Sequence, residues 1–173
     1  MNIILFGPPG AGKGTQCDYI AKNFNLYKVS SGDLLRQEVK NNTTFSKKIK
    51  SLLDKGLLVS DEIIDTIVEK ILLDNTINNR LIFDGYPRNI KQVKKLDLLT
   101  KNIGVKISCV LSLEVNKETI VKRILGRRTC SKCGLIFNEY FNPSNKKNHT
   151  CGDEFLQKRS DDNADTASDR FET

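Results

Sequence analysis

The 173-residue sequence predicts an α/β fold, a doubly wound parallel sheet flanked by helices, and three observations support this prediction. An apolar run of strand length, Asn2 to Phe6, leads directly into a glycine-rich loop and then into a helical stretch from Gln16 to Phe24. The run is apolar on both faces, as in a parallel strand that helices cover on both sides. Later apolar runs, Leu81 to Phe83 and about Val105 to Leu113, alternate with helical periodicity, which is typical of a parallel sheet.

Length, composition and charge restrict the class of protein. The chain is long enough for one domain with an insertion, and its short apolar start lacks the basic leader of a signal peptide. It contains no apolar run long enough to cross a bilayer, so we expect a soluble, cytoplasmic protein. A monomer is also expected. In that compartment the five cysteines are expected to be metal ligands or core residues. The net charge of +7 is attributed to phosphate-binding motifs and scattered lysines, so no nucleic-acid or membrane partner is expected.

The segment between the first strand and the first helix has the pattern of a phosphate-binding loop. Gly7 is followed, after four residues, by Gly12 and Lys13. Glycines allow successive backbone N–H groups to turn toward an anion, the following helix offers its positive end, and the lysine adds a mobile charge. Gly14 follows the lysine, so the hydroxyl residue, Thr15, comes one place later than in the general pattern. A tight turn without a ligand is the alternative.

The third predicted strand places a carboxylate at the carboxyl edge of the sheet. Asp84 follows Leu81 to Phe83, and this edge of a parallel sheet lies beside the phosphate loop. Because Mg²⁺ keeps most of its water and takes few anionic contacts, one aspartate suits it. A helix cap is the alternative for Asp84.

Four segments together resemble the adenylate kinases, the nucleoside monophosphate kinases that interconvert ATP, AMP and ADP. They are the phosphate loop, Ser30-Ser-Gly-Asp-Leu-Leu-Arg36, Asp54-Lys-Gly-Leu-Leu-Val-Ser-Asp61 and Phe83-Asp-Gly-Tyr-Pro-Arg-Asn-Ile-Lys-Gln92. The resemblance extends from Met1 to Thr173. By themselves, Ser31 or Asp33 would be interpreted simply as a helix cap.

The resemblance implies the residues of both nucleotide sites and Mg²⁺ bound with ATP. The implied ATP-binding residues are Gly10, Ala11, Gly12, Lys13, Gly14, Thr15, Arg123, Arg127, Ile136 and Phe137. The implied AMP-binding residues are Ser31, Arg36, Leu57, Leu58, Val59, Gly85, Tyr86, Pro87, Arg88, Gln92, Arg159 and Arg170. The implied catalytic residues are Lys13, Asp84, Arg88, Arg123, Arg159 and Arg170.

The resemblance also implies how the chain is divided into domains. It implies a core at residues 1–29, 60–122 and 160–173, a helical insertion over AMP at 30–59, and a lid over ATP at 123–159. Helical periodicity through Phe45 to Leu53 and Glu62 to Leu73 agrees with the insertion. The family continues beyond the equivalent of Thr173, so its final strand and helix are expected to be missing, with apolar surface left exposed on the sheet.

Further predictions concern a cysteine in the fourth strand and two arginines near the end of the helix after it. Cys109, in the fourth strand, is expected to be a core residue. The next helix is predicted at Lys117 to Leu125. Arg123 and Arg127 would share one face if that helix continued, and a solvated basic helix end is the alternative.

A metal knuckle follows at Cys130-Ser-Lys-Cys133, with a third cysteine, Cys151, after a hairpin-like stretch from Leu135 to Phe141. This spacing suits a tetrahedral zinc site in a reduced compartment. In one branch of the adenylate kinases a zinc ion with four protein ligands stabilises the lid, so the resemblance implies a structural Zn²⁺. Three unligated cysteines on a folded flap are the alternative.

The fourth zinc ligand stays open on the sequence. His149 lies two residues before Cys151, and the pair Asp153 and Glu154 lies just after it. Both candidates fit about equally well.

Three other functions compete. A related kinase acting on UMP or CMP is the nearest, although those enzymes have a short lid; Ser31, where the family often has threonine, leaves base specificity open. A basic zinc-knuckle protein that binds nucleic acid is the second, and the absence of interleaved aromatic residues disfavours it. A degenerate kinase that binds ATP without transferring phosphate is the third.

Overall fold

The computed structural model describes residues 1–41, 46–54 and 59–163 of the chain. Strands and helices alternate along its first part, as the sequence predicts. In chain order the elements are β1 (Ile3–Phe6), α1 (Lys13–Phe24), β2 (Tyr27–Ser30), α2 (Ser31–Lys40), α3 (Ser46–Asp54), α4 (Asp61–Leu72), β3 (Leu81–Asp84), α5 (Ile90–Asn102), β4 (Cys109–Ser112), α6 (Lys117–Leu125), β5 (Arg127–Cys130), β6 (Ile136–Asn138), a short 3₁₀ helix (Asp153–Phe155) and β7 (Leu156–Gln157).

The first of two compact units contains the described residues within 1–7, 12–53 and 57–113. Its core is a parallel sheet of four strands in the order β2-β3-β1-β4. In the register, Ile4 of β1 lies opposite Phe83 on one side and Val110 on the other. The predicted parallel sheet with flanking helices is therefore confirmed.

Alternation along β1 explains why helices cover both faces of the sheet. Successive side chains of a strand point to opposite faces. Ile3 and Leu5 pack with Cys17 of α1, whereas Ile4 packs in the larger core with residues of α4 and α5, such as Val68. These residues are buried, so one short strand contributes to two hydrophobic layers.

The prediction for the fourth strand is wrong in length and in burial. β4 has four residues, all exposed, and the expected core residue Cys109 is exposed. β4 is the edge strand of the described sheet, since it pairs with β1 alone and no other described strand lies on its outer side. Val110 is 61% exposed, and Phe6 at the end of β1 is 53% exposed. The exposed apolar surface expected on the sheet is found here.

The helices of the predicted insertion lie close to their expected positions. α3 and α4 match the periodicity that predicts them, although Phe45 lies outside the described residues. Ser30 caps α2, because its hydroxyl accepts a hydrogen bond from the N–H of Asp33 at 3.3 Å. The boundaries of the insertion, 30–59, stay a prediction.

The second compact unit contains the described residues within 8–11, 54–56 and 114–173. It holds α6 and an antiparallel sheet with the strand order β6-β5-β7. The predicted hairpin-like stretch supplies β6, which pairs with β5. α6 ends at Leu125 and Arg127 begins β5, so the continuous helix that would put Arg123 and Arg127 on one face does not form. The lid boundaries, 123–159, stay a prediction.

Within the described parts of the chain, we find no helix that combines the length and the apolar character required to cross a membrane.

Candidate functional site

Lys13 opens α1 and lies against the start of the glycine-rich loop. Its Nζ donates a hydrogen bond to the carbonyl oxygen of Gly7 at 2.6 Å. Gly7 has φ of 142°, and a Cβ at this position would lie 2.7 Å from the carbonyl oxygen of Leu113. A side chain at residue 7 would therefore force the backbone apart, which explains the glycine.

Asp84 ends β3 beside the first turn of α1, as the sequence predicts. A Cβ on Gly14 would lie 3.5 Å from Asp84 Oδ2, so the helix start comes very close to the carboxylate. Burial raises the pKa of Asp84, and the positive charges of Lys28 and Lys13 partly oppose that shift. A carboxylate at the end of a parallel strand can hold the water ligands of a hydrated divalent cation.

Five of the predicted AMP-binding residues line one small pocket in the first unit. The pocket is lined by Ser31, Leu35, Val59, Ile64, Gly85, Arg88 and Gln92. Hydrogen bonds connect the polar members of this set. Arg88 donates from Nε to the carbonyl oxygen of Gly85 at 2.7 Å and from Nη2 to Ser31 Oγ at 3.1 Å. Ser31 Oγ in turn donates to the same carbonyl at 2.7 Å.

The amide of Gln92 is held in one orientation by two partners. Its Oε1 accepts from the backbone N–H of Arg88 at 2.7 Å, and its Nε2 donates to Asp61 Oδ1 at 2.6 Å. Asp61 also accepts from Asn89 Nδ2 at 3.0 Å. The carboxylate of Asp61 therefore positions a side chain of the predicted AMP site.

Other predicted AMP-binding residues do not line this pocket. Arg36 pairs with Asp33 at 2.5 Å, and the hydroxyl of Tyr86 donates to Asp65 at 2.8 Å. Burial raises the pKa of Tyr86. Pro87 follows a cis peptide bond. Three further predicted residues, Leu57, Leu58 and Arg170, lie outside the described residues.

In the second unit, Arg123 contacts the segment of the loop at residues 8–11. Its Nη1 donates to the carbonyl oxygen of Ala11 at 2.9 Å, and its guanidinium lies 5.6 Å from the ring centroid of Phe141. Gly10 has φ of 79°, and a Cβ there would lie 2.9 Å from Ile124 Cγ1. The loop segment therefore packs directly on α6, with the arginine beside it.

The remaining predicted ATP-binding and catalytic residues of this unit lie on β5, on β6 and near Asp162. Arg127 begins β5 and forms an ion pair with Asp162. Arg159, half-buried, comes three residues before that aspartate, whose N–H donates to the Arg159 carbonyl oxygen at 3.1 Å. Ile136 and Phe137 lie on β6, and the Phe137 side chain is buried.

The three predicted metal ligands come together with His149. Ligand atoms of Cys130, Cys133, His149 and Cys151 all lie within 4.8 Å of one another. This matches a tetrahedral zinc site, in which Zn–S bonds of about 2.3 Å place the sulfurs about 3.8 Å apart. Of the candidates for the fourth ligand, His149 belongs to this cluster, and Asp153 and Glu154 do not.

Two further observations fit a metal at this cluster. His149 Nε2 is buried and has no hydrogen-bond partner among the described residues, so its lone pair is available to a metal ion. Burial favours the neutral thiol of Cys130, but the N–H of Cys133, 3.5 Å from its sulfur, and further hydrogen bonds lower the pKa of Cys130 to about 6. Cys130 therefore readily supplies a thiolate for zinc, whereas burial and hydrogen bonds with Cys133 and Cys130 raise the pKa of Cys151 to about 11.

Comparison with known proteins identifies the family. The family model described as adenylate kinase matches residues 5–173. The chain belongs to the adenylate kinase family. It is 46% identical over 173 residues to the adenylate kinase of Pelagibacter ubique, an alignment that covers 100% of this chain and 81% of that protein. It is 44% identical over 174 residues to the adenylate kinase of Caldicellulosiruptor bescii, with 99% of this chain and 80% of that protein covered.

Sequence reasoning missed two residues of the sites in this member of the adenylate kinase family. Asp61 comes directly after the Leu-Leu-Val-Ser stretch, and only its contact with Gln92 reveals its role. Ser144, which contacts His149 Nδ1 at 3.0 Å, lies in a polar segment that carries no motif. The proximity of His149 to Cys151 in the sequence was the available signal for the fourth ligand.

Proposed function

We propose that this chain catalyses the reversible, Mg²⁺-dependent transfer of the γ-phosphoryl group of ATP to AMP, which yields two ADP. The observation that carries the proposal is the pocket that gathers Ser31, Val59, Gly85, Arg88 and Gln92 in a chain of the adenylate kinase family. The related kinases named above are themselves adenylate kinases. ATP, AMP and ADP are accordingly the partners, and we propose a cytoplasmic monomer.

On the AMP side, Arg88 and Arg36 are proposed to bind the phosphate. The guanidinium of Arg88 is a planar donor fork, fixed by Gly85 and Ser31, that suits two phosphate oxygens. The nucleophile is an oxygen of the AMP phosphate, whose second ionisation lies near pH ~6, so it is mostly dianionic at neutral pH. No general base is required. Gln92 is proposed to contact the edge of the adenine ring.

On the ATP side, Lys13 and the loop amides are proposed to bind the phosphates. Asp84 would hold the waters of Mg²⁺, which supplies neutralisation of the charge on the transferred group when it is bound with ATP. Charge neutralisation and alignment of two polyanions are the main requirements of this reaction. Four arginines are proposed to contact the γ-phosphate as the lid closes and excludes water, namely Arg123, Arg127, Arg159 and Arg170.

We also propose that Cys130, Cys133, His149 and Cys151 bind a structural Zn²⁺. Four protein ligand atoms would leave no open position on the metal, which is the coordination of a structural site and not of a catalytic one. The sheet around the cluster is small, with strands of two to four residues, so metal binding would supply part of its folding free energy.

The experiment that tests the function is ADP formation from ATP and Mg²⁺ by the full chain, with AMP, UMP or CMP as acceptor. We expect turnover with AMP and little without an acceptor, because water should be excluded from the closed site. Faster turnover with UMP or CMP would favour a different monophosphate kinase. A folded chain that binds ATP but forms no ADP would show a binding protein instead of an enzyme.

A further inference from the structure

The two ring nitrogens of His149 lie in different surroundings. Its imidazole is 6% exposed, and the ring of Phe137 lies 4.8 Å away between centroids. Nε2 has no hydrogen-bond partner among the described residues, whereas Nδ1 lies 3.0 Å from Ser144 Oγ. One nitrogen is therefore available to a metal ion, and the other is engaged by the protein.

The hydroxyl of Ser144 also contacts Asp153. Its Oγ lies 2.9 Å from Asp153 Oδ1. A carboxylate can only accept a hydrogen bond, so the hydroxyl hydrogen of Ser144 points to Asp153. Ser144 Oγ must then accept from His149, which places the ring hydrogen on Nδ1 and leaves the lone pair of Nε2 free.

We propose that Ser144 and Asp153 are positioning residues that fix the Nδ1–H tautomer of His149 and present Nε2 as the fourth metal ligand. We call these two residues the relay. Metal-binding histidines commonly donate their second N–H to such a partner, which orients the ring and raises its basicity as a ligand. The proposal rests on the metal site proposed above and goes beyond it, because it assigns a role to two residues that bind no metal.

Local backbone geometry brings the relay to the ring. The N–H of His149 donates to the carbonyl oxygen of Asn145 at 2.9 Å, and Asn148 Oδ1 accepts from the N–H of Asn145 at 2.8 Å. This turn places Ser144 beside the imidazole. Asp153 reaches the same hydroxyl from the start of the 3₁₀ helix, two residues after Cys151. The relay thus ties together the segments that carry the third and fourth ligands.

The first test is the zinc affinity of the full chain, measured by competition with a chromophoric chelator. Asp153→Asn and Ser144→Ala are each expected to weaken zinc binding by about 10- to 100-fold, the usual effect of losing such a partner. Ser144→Thr keeps the hydroxyl and is expected to retain near-normal affinity. Glu154→Gln is the matched control, because it removes the same charge one residue away and outside the relay.

The second test reads the tautomer directly. His149 is the single histidine of the sequence, so its ring nitrogens give one set of signals in a long-range ¹H–¹⁵N spectrum. We expect a protonated Nδ1 and a metal-bound Nε2 in the zinc-loaded chain. A change in packing alone would alter stability without changing the tautomer, so this measurement separates positioning from a structural role.

The outcomes separate the two proposals. A chain that takes up no zinc would overturn both the metal site and the relay. Tight zinc binding with equal affinity in Asp153→Asn and Glu154→Gln, or a zinc-loaded ring protonated at Nε2, would overturn the relay and leave the metal site in place.

Discussion

Arg127 contacts the buried carboxylate of Asp162 through two guanidinium nitrogens. Nε lies 2.8 Å from Oδ2, and Nη2 contacts Oδ1. The side chain of Asp162 is 0% exposed and that of Arg127 is 20% exposed. Burial alone would lower the pKa of Arg127, but the hydrogen bond and charge of Asp162 raise it. A residue predicted to bind ATP phosphate is thus paired with a protein carboxylate in this structure.

Removing this partner should destabilise the chain strongly. We expect Asp162→Ala to lower the free energy of unfolding by about 3 to 5 kcal/mol, because it leaves a buried charge without its counterion. Urea denaturation measures this. The control is Glu139→Ala, which removes the partner of the neighbouring Arg128, 2.6 Å away and 49% exposed. There we expect about 0 to 1 kcal/mol, and equal losses in both variants would contradict the prediction.

Lys13→Met should abolish phosphoryl transfer and leave the fold intact. The ammonium group lies beside the loop carbonyl of Gly7, where the phosphates of ATP are proposed to bind. We expect a loss of about 2 to 5 kcal/mol of transition-state stabilisation, the range for a desolvated charge partner. A coupled assay of ADP formation measures it, with the exposed Lys22 of the same helix, changed to Met, as control. Normal turnover in Lys13→Met would contradict the proposed position of the phosphate site.

Arg88→Ala should impair the use of AMP far more than that of ATP. Its guanidinium is fixed in the pocket by Ser31 and Gly85, so its loss removes a preorganised phosphate ligand. We expect kcat/KM for AMP to fall by an equivalent of about 2 to 5 kcal/mol. Arg80→Ala is the control, because Arg80 contacts Asn25 and does not line the pocket. An equal change in the KM for ATP would argue against this assignment.

Asp84→Asn should stabilise the ligand-free chain at neutral pH and abolish Mg²⁺-dependent transfer. Burial raises the pKa of Asp84 above that of the unfolded chain, so its ionised form disfavours folding. This unfavourable contribution is absent below the unfolded pKa and develops as pH rises through the folded pKa. Urea denaturation at acidic and neutral pH should therefore show a larger gain from the substitution at neutral pH. A destabilised variant at neutral pH would contradict this reasoning.

The purified chain should contain one zinc ion per molecule. Elemental analysis checks this, and Cys130→Ser should remove the metal because it deletes one of four ligands. Cys109→Ser is the matched control, since that cysteine lies on β4, outside the cluster. A strong chelator should increase hydrogen exchange in β5 to β7 and leave the parallel sheet protected. Absence of metal from the native protein would refute the site.

Local patterns in the sequence predicted much of the fold. The glycine spacing around Lys13 and the apolar run before it depend only on neighbouring residues. They therefore predict the positions of β1, the loop and α1. The prediction of a buried β4 is wrong because a run that is apolar on both faces does not tell which elements cover it. That depends on contacts far apart in the sequence, and among the described residues Val110 is exposed.

The metal ligands, too, are only partly predictable from local sequence spacing. The Cys-x-x-Cys spacing located the first ligands, but His149 and Asp153 both stand two residues from Cys151. The choice between them depends on the turn at residues 143–149, which directs the imidazole inward and leaves Asp153 at the surface. Spacing alone could not supply that result.

The five cysteines occupy three different environments, so their reactivity toward thiol reagents should differ. Cys17 is fully buried, and burial raises its pKa to about 12. Cys130, Cys133 and Cys151 belong to the metal cluster, and Cys109 stands exposed on the edge strand. Because maleimides attack accessible thiolates, the zinc-loaded chain should be labelled at Cys109 alone. Edge strand β4 therefore offers a single attachment point for a fluorophore, and additional labelling would report loss of the metal.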